Sequence, residues 1–172
     1  VYIDTEGMSL ERLRQIGGDG FEDRAHDFII KDAYDFEEQA VAVRDAENLA
    51  AETDLVVLDS ATGLYRVEPD DAEEDSSLRR LTRQIAHLTG VARKHDLAVV
   101  ATNQIYTAIE TQGEEYSPLG GKMMEHWTSI IVRLERSKVD ETKRKATVEK
   151  HPAKPPGVDA EFRITGSGVE DA

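Results

Sequence analysis

The sequence contains no cysteine, which excludes disulfide frameworks, thiolate nucleophiles and zinc sites with cysteine ligands. It also has no uninterrupted apolar run of the roughly 18 residues that a membrane helix needs. The first residues lack the basic and apolar pattern of a secretion signal. We therefore expect a cytoplasmic protein, and its 172 residues, 39% of them hydrophobic, suit one packed domain.

Basic residues are scarce as well, because 21 Lys and Arg stand against 35 Asp and Glu, a net charge of −14. Proteins that bind nucleic acid normally carry an excess of basic residues, so the charge alone argues against a DNA partner. An acidic surface also suits a halophile, whose salt screens electrostatic binding. Net charge therefore does not decide whether DNA is a partner.

Short β-branched runs alternate with longer amphipathic stretches, a pattern typical of βαβ units that feed a parallel sheet. Strands are predicted at 1–4, 26–30, 55–58 and 97–102. Helices are predicted at 9–16, 35–52 and 78–95. Later strands, near 129–135, 145–149 and 161–165, are expected to be antiparallel. The prediction is an α/β domain with a mostly parallel central sheet flanked by helices, in which 55–58 is a central strand and 97–102 is buried.

Polar side chains follow the predicted parallel strands. Glu6 comes after the first strand, Asp59 and Ser60 follow the third, and Gln104 follows the fourth. Ligands of open α/β sheets bind outside the carboxyl ends of the strands, so we expect these side chains to converge. Asp59 has the form of a Walker B carboxylate, which holds the Mg²⁺ of a nucleotide through water. Glu6 suits a base or water-orienting group, and Gln104 suits contact with a γ-phosphate.

Each of these residues also has a purely structural interpretation. Asp59 can cap the next segment, Glu6 can be a surface carboxylate before a helix, and Gln104 can hydrogen-bond to a loop backbone. Their ordered occurrence after the first, third and fourth strands favours a nucleotide site over three independent structural roles.

Several motifs recur in the same order in RecA-like recombinases. They are YIDTEG at 2–7, LVVLDS at 55–60, TNQ at 102–104, and GG at 120–121 followed by His126. The closing residues 161–165 and 168–171 are similar to the last strands of the archaeal RadA and RadB families. The chain thus resembles the RecA superfamily over its whole length, which implies a RecA-like P-loop NTPase core.

The resemblance assigns roles to individual residues and implies ATP and Mg²⁺ as cofactors. Glu6 matches the catalytic glutamate of the family and Asp59 its Walker B aspartate, which holds Mg²⁺. Gln104 matches the glutamine that senses the γ-phosphate, and it is grouped with Glu6 as catalytic. Ser60 and His126 are assigned to nucleotide binding, His126 as a nucleotide-linked switch residue.

The sequence contains no GxxxxGK[ST] phosphate loop, and it begins at the strand that normally follows that unit. We therefore expect an amino-terminally truncated chain, with residues 1–172 forming a single RecA-like ATPase core domain that lacks the upstream Walker A unit. Without the backbone amides and the lysine of that loop, this chain is expected to be inactive as an ATPase.

Two loops distinguish the members of the superfamily, because active recombinases place basic and aromatic residues there to bind DNA. Here residues 67–77 carry six acidic residues, and residues 105–119 carry three acidic residues and no Lys or Arg. A simple solvated loop also explains the first segment. The acidic loops favour the RadB family over RadA.

Resemblance to RadB implies an accessory protein that binds DNA and nucleotide, hydrolyses ATP weakly or for regulation, and assists recombination by modulating RadA. The implied partners are DNA, the RadA recombinase and a Holliday-junction nuclease. Two alternatives stay open: a RadA-type DNA-dependent ATPase recombinase, and a nucleotide-independent interaction module.

A basic cluster near the carboxyl terminus is the best DNA-binding candidate, since phosphates attract cations. It consists of Lys138, Lys143, Arg144, Lys145, Lys150 and Lys154. A solvated hairpin whose cations balance neighbouring acids is the alternative. Lys150 falls where filament-forming archaeal recombinases carry an acidic residue over a neighbour's nucleotide, so the resemblance gives it a nucleotide-binding role in trans.

Overall fold

The structure of the protein is a computed structural model that describes residues 1–65, 74–108, 115–119, 121–137 and 139–172. It divides into two compact units, each described by itself. The parallel-sheet unit comprises Val1–Met8 and Asp27–Trp127, and the antiparallel-sheet unit comprises Ser9–His26 and Thr128–Ala172. That residues 1–172 act as a single domain remains a prediction.

The helices are α1 (Leu10–Gly17), α2 (Phe21–Arg24), α3 (Phe36–Asn48), α4 (Glu74–His95) and α5 (Gly121–Trp127). The strands are β1 (Tyr2–Asp4), β2 (Ile30–Asp32), β3 (Leu55–Asp59), β4 (Ala98–Ala101), β5 (Ile105–Ala108), β6 (Glu115–Pro118), β7 (Ile131–Arg136), β8 (Lys143–Lys150), β9 (Asp159–Thr165) and β10 (Gly168–Asp171). Short 3₁₀ turns lie at Gly18–Gly20, Ala25–Asp27 and Ala50–Glu52. None of the helices among these residues is long and apolar enough to cross a membrane.

The parallel sheet has the strand order β2-β1-β3-β4, and all its neighbouring strands are parallel. This confirms the predicted α/β architecture with β3 in the interior of the sheet. Because parallel strands all end at the same edge, the residues after β1, β3 and β4 are brought to one side of the unit.

Helices α3 and α4 provide the apolar layer against this sheet. Asp35 begins α3 by accepting a hydrogen bond from the Glu38 N–H at 2.7 Å, as expected of an N-cap. The core is made of fully or almost fully buried side chains from both helices and from β1 and β3: Ile3, Phe36, Val43, Val56, Leu58, Leu81, Leu88 and Val91. Each such side chain contributes roughly 1.5–3 kcal/mol through removal from water.

The prediction that the strand at 97–102 is buried is wrong. Leu97, just before β4, is buried, but Val100 within the strand is 50% exposed. The reason is which face of the sheet is covered: Val100 lies beside Val57, whereas Val56 and Leu58, which pack against α3 and α4, lie on the opposite face. Leu55, on the same face as Val100 but on the interior strand β3, is 43% exposed as well. An apolar sequence shows that a strand can be buried, whereas the elements that pack on each face of the sheet decide how much of it is covered.

Two further segments differ from the sequence pattern. The predicted strand at 26–30 begins only at Ile30, which pairs with Tyr2, while His26 lies in a 3₁₀ turn. The segment 105–119, expected to be an irregular loop, contains β5 and β6, which pair as antiparallel strands around the undescribed residues 109–114. The extent of β2 is set by its pairing with the remote strand β1. The extents of β5 and β6 are set by their pairing with each other.

The antiparallel-sheet unit confirms the predicted strands near the carboxyl terminus, and β10 follows them. Its strand order is β10-β9-β8-β7, with each strand antiparallel to its neighbours. Helix α1 belongs to this unit, and Ser9 caps it by accepting a hydrogen bond from the Arg12 N–H. The Arg12 guanidinium donates to the carbonyl oxygens of Thr165 and Gly166, which ties α1 to the turn between β9 and β10.

Candidate nucleotide-binding site

The loop after β1 is held by a buried carboxylate at the strand's last residue. Asp4 is 6% exposed and accepts hydrogen bonds from the backbone N–H groups of Glu6 at 3.1 Å, Gly7 at 2.9 Å and Met8. Gly7 has a positive φ of 87°, a conformation that glycine adopts without strain. The chain therefore turns tightly at this edge, and Glu6 is presented on an ordered loop.

Glu6 contacts residues from the ends of two other strands. Its Oε1 atom accepts a hydrogen bond from Ser60 Oγ at 2.6 Å and another from Gln104 Nε2 at 3.2 Å. Ser60 follows β3 directly, and Gln104 follows β4. The predicted convergence of these side chains at the carboxyl edge of the sheet is thus present in the structure.

Asp59, at the end of β3, is held by two hydroxyl groups. Tyr2 Oη donates to its Oδ2 atom, and Thr102 Oγ1 donates to its Oδ1 atom at 2.6 Å. Desolvation by burial, followed by the hydrogen bond to Asp59, raises the pKa of Tyr2 well above its ordinary value. Tyr2 therefore remains a protonated donor at neutral pH, and both oxygens of the Asp59 carboxylate have fixed partners.

Thr5 joins the ends of β1 and β3. Its N–H donates to the Asp59 carbonyl at 2.8 Å, and its Oγ1 atom accepts from the Ser60 N–H at 2.7 Å. The same hydroxyl lies 3.1 Å from the Ser60 carbonyl oxygen, to which it donates. The Asp59–Ser60 peptide bond, which Thr5 brackets, is cis.

The chemistry of these groups fits Mg²⁺ and a nucleotide in a specific way. Among the described residues, no group of three or more His, Cys, Asp or Glu side chains could hold a metal ion by itself. Mg²⁺ is commonly held by one or two carboxylates together with water and substrate phosphates. Asp59 is a single, fixed carboxylate of this kind, so a magnesium ion here would require the phosphates of a nucleotide.

Two further predicted nucleotide residues lie on α5 and at the end of β8. His126 is exposed on α5, and its ring packs edge-on against Trp127 with the centroids 5.6 Å apart. Lys150 ends β8 in the antiparallel-sheet unit, where its Nζ atom donates to the Thr128 carbonyl at 2.7 Å. Their roles in nucleotide binding remain predictions.

The described members of the basic cluster are divided between the two faces of β8 and the segment after it. Lys143 and Lys145 lie on one face of β8 and are paired with acids of β9, Lys143 with Glu161 at 3.0 Å and Lys145 with Asp159 at 3.3 Å. Arg144 lies on the opposite face, since successive side chains of a strand alternate. Lys154 is exposed between β8 and β9. DNA binding by these residues remains a prediction.

Some predictions fall on residues that the structure does not describe. They are Lys138, Gly120, residues 67–73 of the first acidic loop and residues 109–114 of the second. The predictions for these residues therefore lie outside the described part of the chain.

The sequence interpretation missed the residues that hold the site. Asp4, Tyr2, Thr102 and Gly63 were given no role, although each contacts or closely approaches Glu6, Asp59 or the backbone next to them. A hydroxyl or carboxylate at a strand end is a weak signal, because its partner is decided only when the neighbouring strand is known.

The fold and the site define the class of protein: a RecA-like α/β core with carboxylate and amide side chains at the carboxyl edge of a parallel sheet. The sequence model of the Rad51 family matches residues 1–172. The chain belongs to the Rad51 family.

Within that family, the chain is similar to proteins named RadB. It is 46% identical to the DNA repair and recombination protein RadB of Halobacterium salinarum over 100% of this chain and 74% of the relative. It is 42% identical to the RadB of Archaeoglobus fulgidus, over 98% of this chain and 75% of the relative. A crystal structure of the RadB recombinase superimposes with a TM-score of 0.80 at 32% identity, covering 99% of this chain and 77% of the other. The resemblance to RadB in the sequence is thereby confirmed.

Proposed function

We propose that the protein acts in DNA repair and homologous recombination as an accessory protein that binds DNA and a nucleotide with Mg²⁺. The names of its RadB relatives support the general role. The convergence of Glu6, Asp59, Ser60 and Gln104 at one sheet edge carries the nucleotide part of the proposal. Hydrolysis is proposed to be weak or regulatory, and the RadA recombinase is the proposed protein partner.

Each residue of the site has a distinct proposed task. Asp59, oriented by its two hydroxyl donors, would hold Mg²⁺ through water. Bound Mg²⁺ neutralises charge on the nucleotide phosphates. Glu6 would orient a water molecule or accept its proton, and Gln104 would report the presence of a γ-phosphate through its amide.

Weak hydrolysis is supported by the contacts of Glu6 itself. Ser60 and Gln104 both donate to its Oε1 atom, which leaves Oε2 as the carboxylate oxygen for a water molecule. With one oxygen of the Glu6 carboxylate committed to protein donors, we propose nucleotide-dependent regulation rather than rapid turnover.

The two alternative functions, a RadA-type recombinase and a nucleotide-independent interaction module, would require different features of the loops and of the sheet edge. A RadA-type recombinase would need cationic DNA loops, whereas the two loop segments of this sequence are acidic. A nucleotide-independent interaction module would need no aligned carboxylates, whereas Asp59 and Glu6 each have two side-chain donors. A Holliday-junction nuclease, implied by the family resemblance, remains a further proposed partner.

The test compares Asp59→Ala with Glu6→Gln in the full-length protein, measuring Mg-ATP affinity by calorimetry and phosphate release. Asp59→Ala should weaken Mg-ATP binding roughly 10- to 100-fold, because contacts to charged groups contribute about 1.5–3 kcal/mol. Glu6→Gln should leave the affinity unchanged and slow hydrolysis by roughly 100-fold or more.

Asp32→Ala is the matched control, since Asp32 ends β2 at the same sheet edge and is exposed. It should bind Mg-ATP like the wild type. Negligible effects of Asp59→Ala and Glu6→Gln on both binding and turnover would refute the nucleotide site and favour the interaction module.

A further inference from the structure

We propose that Gly63, acting through the Ser60 hydroxyl, is the positioning residue that sets where the Glu6 carboxylate lies relative to Gln104. The inference rests on the proposed function in so far as Glu6 is taken to act on a water molecule. It concerns the four residues after β3, namely Ser60, Ala61, Thr62 and Gly63, which we call the 60–63 segment.

One side of the 60–63 segment is bound to the end of β4. The Ala61 N–H donates to the Thr102 carbonyl at 2.9 Å. Thr62, which is fully buried, donates through Oγ1 to Asn103 Oδ1 at 2.8 Å and accepts from the Gln104 N–H at 3.3 Å. The backbone that carries the Gln104 side chain is therefore fixed to this segment.

The other side of the segment is bound to Glu6 through one hydroxyl group. Ser60 Oγ accepts a hydrogen bond from the Gly63 N–H at 2.9 Å and donates to Glu6 Oε1 at 2.6 Å. Because the Gly63 N–H occupies a lone pair of Oγ, the hydroxyl hydrogen is directed at the carboxylate. The Gly63 backbone thus orients the donor that holds Glu6.

Gly63 also provides the space in which the carboxylate lies. A Cβ atom at this position would be 2.5 Å from Glu6 Oε1, 2.9 Å from Ser60 Oγ and 3.3 Å from Glu6 Cδ. The φ angle of Gly63 is not in the positive region, so the need for glycine comes from space rather than from backbone conformation. Glu6 is exposed and its side chain is flexible, so we expect its carboxylate to move away from an added Cβ atom.

These contacts act on the same oxygen. Ser60 and Gln104 both donate to Oε1, and the bare Cα of Gly63 leaves room beside it. Oε2 is then the oxygen that can receive a hydrogen bond from a water molecule. Displacing Oε1 would break the contact with Gln104 and move Oε2 with it.

The test uses Gly63→Ala in the full-length protein, with Gly90→Ala as the matched control. A Cβ at Gly90, on α4, would meet nothing within 4 Å, so the control adds the same methyl group without a clash. The first readout is the NMR signals of the Gln104 side-chain amide, which report its contact with Glu6 without nucleotide or turnover. The second is the division of any effect between kcat and KM for Mg-ATP.

Gly63→Ala should shift the Gln104 amide signals and lower kcat by up to roughly 100-fold, as misplacement of a reacting group by about 1 Å can do. KM should change little, because Asp59 is not touched. Combining Gly63→Ala with Glu6→Gln should give no further loss beyond Glu6→Gln alone. Ser60→Ala removes the hydroxyl without adding bulk and should shift the same amide signals, which keeps the test available if Gly63→Ala folds poorly.

Gln104 amide signals that are unchanged in Gly63→Ala and Ser60→Ala, relative to Gly90→Ala, would overturn the proposal. If the signals shift but Glu6→Gln itself leaves turnover unaltered, the positioning by Gly63 is supported and the hydrolytic role of Glu6 is refuted. The two failures are thereby distinguished.

Discussion

The turn that presents Glu6 depends on the Asp4 carboxylate, so Asp4→Asn should destabilise the parallel-sheet unit. In the wild type, Oδ1 accepts from the Glu6 and Gly7 N–H groups and Oδ2 accepts from the Met8 N–H. Asparagine keeps one acceptor oxygen, and with that oxygen facing Glu6 and Gly7 its NH₂ group faces the Met8 N–H. One charge-assisted hydrogen bond is then lost and two become neutral.

The size of the effect follows from these bonds. Hydrogen bonds to charged groups contribute about 1.5–3 kcal/mol and neutral ones about 0.5–1.5 kcal/mol, which sets an upper limit of about 6 kcal/mol for one bond lost and two weakened. Glu6 and Gly7 are exposed, so water can replace part of the loss. We expect a decrease of about 2 kcal/mol in the free energy of unfolding, a large share of the 5–15 kcal/mol that is typical.

Urea unfolding in concentrated KCl, followed by the fluorescence of Trp127, measures this effect. Trp127 is the single tryptophan of the sequence and lies in the same unit as Asp4. Asp32→Asn is the control, because Asp32 is exposed, pairs in register with Asp4 and loses the same charge. Equal stability of Asp4→Asn and Asp32→Asn, within about 0.5 kcal/mol, would refute the reasoning.

Two other predictions concern DNA and pH. Neutralising Lys143, Arg144 and Lys145 together should weaken DNA binding and lower the salt slope by about 0.9 for each phosphate contact removed, in a salt titration. A control neutralising three basic residues of α4 should bind normally, and an unchanged slope in the triple variant would place the DNA site elsewhere. The hydrogen bond and charge of Lys94 lower the pKa of Glu47 below its ordinary 4.5. This pair therefore stabilises the fold above that pH and is lost as pH falls through the lowered pKa. Acid unfolding should show the wild type losing its advantage over Glu47→Gln below about pH 4.5, and a constant difference would contradict it.

Much of the fold follows from local patterns. The apolar periodicity of α3 and α4 and the short β-branched run of β3 predict these elements because a helix or strand that packs on one side repeats its buried positions at a fixed interval. Asp35 as the N-cap of α3 also follows from side-chain chemistry close in the chain. The ends of strands and their exposure did not follow, since β2 begins where β1 pairs with it and Val100 of β4 lies on the face opposite to the core that α3 and α4 cover.

In the basic cluster, too, one feature follows from the local sequence and another only from strand pairing. That Arg144 lies on the opposite face from Lys143 and Lys145 follows from the two-residue repeat of any strand. That both lysines meet carboxylates does not, because Glu161 and Asp159 reach them only through the register of β9 on β8. Cations counted along the chain therefore overstate the charge that this surface offers to DNA.

At the candidate site, the sequence identifies the chemical groups, whereas the tertiary structure decides how they are arranged. Sequence motifs identify Glu6, Asp59 and Gln104 as the groups that suit a nucleotide, because their side-chain types and their places after strands are local properties. Glu6 and Gln104 are 98 residues apart, and only the parallel order of β1, β3 and β4 brings the Gln104 amide within hydrogen-bond distance of Glu6 Oε1. The hydroxyls on Asp59 and the space left by Gly63 depend on contacts between such remote segments, and no local pattern records a contact that forms only when the sheet is assembled.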